Sequence, residues 1–126
     1  MLKENELQIL EENYEDAIRF FNNGLFLKAS ELLKDLAVQK PTTWQIWFSL
    51  AKALQKSKEY KKAITAYNIV LVLDSTNTKA YFYLAESYLS INKKEAAKEA
   101  LEKATKICTN DLLKDQILIL KNQNGL

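Results

Sequence analysis

Six alanines keep a beat of 34 residues: Ala17 and Ala29, Ala51 and Ala63, Ala85 and Ala97. A pair of small residues returning at one fixed period marks where two helices must approach closely in each unit, so the chain is constrained to a stacked array of like units. Larger residues keep the same interval: Phe20, Leu54 and Tyr88; Leu33, Tyr67 and Leu101; Leu36, Val70 and Ala104. Phe26 and Tyr60 follow it until Lys94 ends the series, and no insertion disturbs the count. Such an array is a scaffold for binding.

Each unit reads as helix, turn, helix. With the first alanine at the eighth position, the repeats run 10–43, 44–77 and 78–111 inside a single domain of 126 residues. In the middle unit Trp47, Leu50, Ala51 and Leu54 fall at helical spacing, as do Ala63, Ile64, Tyr67, Val70 and Leu71 after a break at Ser57-Lys58-Glu59. Gly24 and Asn92 suit the left-handed backbone that ends a first helix, whereas Lys58, at the same place in the middle unit, suits it less. Pro41 stops a helix, Thr42 with Gln45 predicts a capping box for the next, and Asp74-Ser75-Thr76-Asn77 marks the following boundary. Helical character at Glu6, Leu7 and Leu10 precedes the first repeat. An amphipathic helix over 112–121, with Leu113, Ile117 and Leu120 on one side, is expected to cover the last repeat, ahead of a frayed end at 122–125.

Composition narrows the function classes. Hydrophobic residues at 48% and charged residues at 27% fit a folded chain, with a formal net charge of only +2. Arg19 is the sole arginine, so the bidentate contacts that nucleic-acid readers favour are out of reach, and no nucleic-acid partner is expected. The lysines at 56, 58, 61 and 62, and at 93, 94 and 98, read as a solvated edge. Cys108, the single cysteine, excludes an internal disulfide and reads as a buried structural thiol. Histidine is absent, no glycine-rich phosphate loop occurs, and Glu11, Glu12, Glu15 and Asp16 look like a charged helix face. An enzyme, a metal site and a cofactor are therefore not expected. The run Ile117–Leu120 is far too short for membrane insertion, and the opening residues lack a signal-peptide pattern, so a cytoplasmic location is expected.

The spacing W-x2-L-G-x2-Y, A-x3-F, P resembles the tetratricopeptide signature. The middle repeat gives Trp47-x2-Leu50-Ala51-x2-Leu54 and Ala63-x3-Tyr67, with Ser75 in place of the proline; the third gives Tyr81-x2-Leu84-Ala85-x2-Tyr88 and Ala97-x3-Leu101. The first is weakest, with Asn13 and Asp16 in apolar slots, and recovers at Phe20, Gly24, Ala29, Leu33 and Pro41. The resemblance implies an all-α fold: three helical hairpins in a right-handed superhelix plus the capping helix. It also implies a concave groove lined by the first helices, with Tyr14, Ile18 and Phe21 from repeat one. Repeat two would add Phe48, Ser49, Lys52 and Gln55, and repeat three Lys79, Phe82, Tyr83, Glu86 and Leu89. Trp44 and Trp47 are expected to pack against the preceding repeat instead.

That groove does not resemble the carboxylate clamp of heat-shock adaptors, because of its Lys and Asn positions only Lys79 matches, against Tyr14, Ile18, Ser49 and Tyr83 elsewhere. It is more similar to the class II chaperones of bacterial type III secretion, in the stretch Tyr81-Phe82-Tyr83-Leu84-Ala85-Glu86-Ser87-Tyr88-Leu89, in Leu50-Ala51-Lys52-Ala53-Leu54-Gln55, and in the aromatics at Tyr14 and Phe21. The resemblance implies a protein client: a hydrophobic translocator-like protein whose extended apolar segment lies in the groove. Tyr14, Phe21, Phe48, Phe82 and Tyr83 would be anchors, and Lys52, Lys79 and Glu86 would orient the peptide. A general adaptor or an assembly factor of a secretion apparatus is the alternative. Members of that family usually dimerise through a longer N-terminal helical extension; nine residues precede repeat one here, which leaves a homodimer open.

Overall fold

The computed structural model describes residues 3–126. Seven helices and no strand occur among them: α1 (Glu4–Asn22), α2 (Phe26–Gln39), α3 (Trp44–Lys56), α4 (Tyr60–Leu73), α5 (Thr78–Ser90), α6 (Lys94–Ile107) and α7 (Asp111–Gln123). The first six pair as antiparallel hairpins, and all six periodic alanines have no exposed surface. A methyl side chain at these points lets the two axes of each hairpin come together. Second helices pack on the first helix of the next hairpin, α2 on α3 and α4 on α5. The first helices also meet one another, α1 with α3 and α3 with α5, so the stack curves with these helices on its inner face.

Four helices end in the same way. At Gly24, Lys58, Asn92 and Gly125 the backbone is left-handed, with φ of 79°, 65°, 62° and 68°. In each case the next amide donates to the carbonyl five residues back: Leu25 to the Phe20 carbonyl, Glu59 to Leu54, Lys93 to Tyr88, and Leu126 to Lys121. A second bond joins the left-handed residue itself to the carbonyl three before it, completing a Schellman motif each time. Lys58 thus takes the same turn as Gly24 and Asn92, because hairpin closure overrides its intrinsic preference. The last of these motifs corrects the expected frayed end. α7 runs on to Gln123, Asn124 Nδ2 donates to the Leu120 carbonyl at 2.8 Å, and Leu126 folds back onto the core.

Helix starts divide into two kinds. Asn77 accepts a hydrogen bond from the Ala80 amide at 3.0 Å, and Asn110 caps α7 in the same way through Leu113. The capping box expected from Thr42 and Gln45 does not form. The N-cap of α3 is Thr43, without a side-chain cap, and the entry is held by backbone bonds around Lys40 and Thr43.

Two apolar clusters make up the core. One gathers Leu10, Leu33, Leu36, Ile46, Leu50 and neighbours around the first hairpin; the other runs from α3 to α7 through Tyr67, Val70, Leu84, Leu101, Leu113 and Ile117. Trp47 and Leu54 touch both and tie them together, and Trp47 Nε1 donates to the Pro41 carbonyl at 2.8 Å. Trp44 differs from expectation: it packs into the second cluster, edge-to-face with Phe48 at 6.2 Å between ring centroids, and takes no part in the first. Cys108 is buried at the end of α6. No helix among the described residues is long and apolar enough to cross a membrane.

Candidate peptide-binding groove

The inner face carries three rows of equivalent positions, each row taking one residue from each first helix. Tyr14, Phe48 and Phe82 are equivalent, as are Ile18, Lys52 and Glu86, and Phe21, Gln55 and Leu89. All nine are half-buried, as are Ser49 and Tyr83, whereas Lys79 is exposed at the rim. Half-burial follows from position. A residue on the inner face rests its base on the neighbouring helix and keeps its tip towards the hollow.

Tyr83 is the hub. Its ring meets Phe48 edge-on at 5.8 Å and Phe82 at 5.6 Å, and it stacks on Tyr67 at 6.1 Å with 16° between planes. Tyr67 also takes the Phe48 edge at 6.1 Å. Offset and edge-to-face geometry suits the ring quadrupoles and holds this aromatic floor rigid. Phe21 lies at the other side, against Phe26 at 5.1 Å. Tyr14 and Ser49 share a hydroxyl hydrogen bond of 2.9 Å that joins α1 to α3.

Under the floor runs a polar chain that sequence patterning missed. The Tyr67 hydroxyl donates to Gln55 Oε1 at 2.7 Å, and Gln55 Nε2 donates to Glu86 Oε1 at 3.2 Å. Tyr67 comes from α4, at a position marked only as packing, so its role is set by a side-chain reach that no spacing announces. Burial pushes the Tyr67 hydroxyl up, with the Tyr83 ring and the Glu86 charge adding to it, so the hydroxyl stays protonated as donor. Tyr83 is raised as well, by burial first and then by the Glu86 charge. Burial also raises Glu86, opposed by the Gln55 hydrogen bond and by Lys56 and Lys52. Lys52 is lowered, first by burial and then by Lys56 and Lys79, with Glu86 opposing.

Two hollows flank the floor. One of about 410 Å³ lies between α1 and the start of α3, where Leu7, Leu10, Tyr14, Leu36 and Ile46 form an apolar wall beside Glu11 and Glu15. The other, about 510 Å³, opens at the turn edge, where Leu120 of α7 and Asn124 at its C-cap face Gln55, Glu86 and Leu89. The capping helix therefore borders the inner face as well as covering the core. These α7 residues, and Glu11 and Glu15, belong to the surroundings of the candidate site although the register of three repeats did not include them.

Residues 45–77 and 78–111, together more than half of the chain, match the tetratricopeptide repeat family, and the chain belongs to it. A curated relative is the peptidyl-prolyl cis-trans isomerase FKBP42 of Arabidopsis thaliana, 26% identical over 111 residues; the match takes in 88% of this chain but only 30% of that protein. Among solved structures, a chain of the CopN–Scc3 complex superposes with a TM-score of 0.83 at 28% identity, over 89% of this chain and 68% of that one. The type III secretion chaperone SycD of Yersinia enterocolitica, in complex with a peptide of the translocator YopD, superposes with a TM-score of 0.78 at 21% identity, over 90% and 95% of the two chains. The fold is thus the one shared by translocator chaperones of type III secretion.

Proposed function

We propose that this chain is a non-catalytic, cytoplasmic chaperone that holds an extended apolar segment of a secreted, translocator-type client in its inner groove. The observation that carries the reading is the linked aromatic floor of Phe48, Phe82 and Tyr83, half-buried from below and open above. An aromatic side chain buries roughly 150–250 Å² in all; the part of each ring still open can be covered at the cost of few rotamers, so such a floor favours apolar side chains spaced along an extended strand. Tyr14, Ile18 and Phe21 extend the surface across α1, and Leu89 extends it towards α7. SycD, of like fold, has been solved with a translocator peptide, which supports the same kind of client here.

The mechanism is occupancy. A chaperone that binds the client's unfolded segment lowers the free concentration able to self-associate or pair prematurely. Co-expression tests it: a hydrophobic translocator-type protein that precipitates alone should stay in solution with this chain and co-purify with it. A client that stays insoluble, while an already folded soluble protein binds instead, would favour the adaptor reading.

A further inference from the structure

The Lys52 ammonium stands in the middle of the groove without an oxygen acceptor of its own. Its Nζ lies 5.6 Å from the centroid of Phe21 on α1 and 5.1 Å from that of Tyr83 on α5, so the side chain of one helix reaches towards both neighbours. The ion pairs among the described residues are Arg19 with Asp16 and Lys103 with Glu99, both solvent-exposed and neither involving Lys52. Glu86, one repeat along in the same row, is held instead by Gln55, which Tyr67 fixes in turn. Ring faces attract a cation by about 0.5–2 kcal/mol, yet they take up none of its three N–H donors, which stay available to solvent or to a bound acceptor. Lys56 and Lys79 add further positive potential, second to burial in lowering the Lys52 pKa, so three ammonium groups face one carboxylate here.

Resting on the groove reading above, we propose that Lys52 seats a carboxylate side chain of the bound segment, an aspartate or glutamate with apolar residues on either side. In an extended strand alternate residues point the same way. The preferred segment therefore reads apolar, any, acidic, any, apolar: the acid meets Lys52 and the apolar neighbours rest on the rings around it. A charge-assisted bond in a partly dry groove discriminates more strongly than one at the rim. Lys52 is in this account the residue that sets register and selects the client.

The test uses synthetic peptides blocked at both ends, identical except for Asp, Asn or Lys at the centre, with leucine two residues to each side. Calorimetry on the full chain should give the Asp peptide about tenfold tighter binding than the Asn peptide, with Lys weakest and the Asp advantage shrinking as salt rises. Lys52→Met, which keeps the stem between the rings, should bring the Asp and Asn peptides to equal affinity; Lys52→Arg should restore the Asp advantage. Equal binding of Asp and Asn peptides by the unmodified chain, or an Asp advantage that survives in Lys52→Met, overturns the assignment and leaves the groove reading standing. Failure of every peptide to bind overturns both.

Discussion

Lys58 holds a left-handed backbone, φ 65°, where the equivalent turns use Gly24 and Asn92. A side chain with a Cβ is strained there by about 1–2 kcal/mol, so Lys58→Gly should raise unfolding free energy by about 1 kcal/mol in urea denaturation. Glu86 gives a second residue-scale expectation. Its folded pKa is raised above the ordinary 4.5, chiefly by burial, so the protonated form is favoured on folding. The associated stability is present below the unfolded value and is lost as pH climbs through the folded one. Glu86→Gln, which can still accept from Gln55, should therefore raise the melting temperature at pH 7, and the gain should vanish towards pH 4. At this scale the buried alanines were legible because steric demand repeats with the fold. The chain from Tyr67 through Gln55 to Glu86 was not, since a hydrogen bond between helices depends on side-chain reach rather than on period.

Helix α7 is the least embedded element, meeting α6 through Leu113 and Ile117 while Leu112, Leu118 and Ile119 stay exposed. Ile117, 2% exposed, is its main anchor. Ile117→Ala should cost about 2–4 kcal/mol locally, seen as faster hydrogen exchange over 111–123 with α1 to α4 still protected. Exchange that rises equally throughout would mean that α7 is integral to the stack. The amphipathic stripe of this helix could be read from its residues, but its end could not. A run of Asn, Gln and Gly looks like a loose end until Leu126 is seen to turn back onto the core, its amide bonded to the Lys121 carbonyl. Likewise α3 begins at Trp44 without the capping box its residues suggested, because the turn after Pro41 is closed by backbone bonds alone.

For the whole molecule, curvature places the first helices inside, and that geometry converts a packing repeat into a groove. Trp47 and Leu54 couple the two core clusters, so the floor of the groove is held by both. The period made the stack legible, and the equivalent rows followed from it; the grouping of rings around Tyr83, and the α7 border, needed coordinates. The central claim, that an extended apolar segment lies on this floor, meets its most direct test in calorimetry of a leucine-rich extended peptide against the unmodified chain and against Tyr14→Ala/Phe82→Ala. The double variant should keep its helicity by circular dichroism and weaken binding by about 2–4 kcal/mol, roughly thirtyfold or more. Unchanged affinity with helicity intact would contradict the claim.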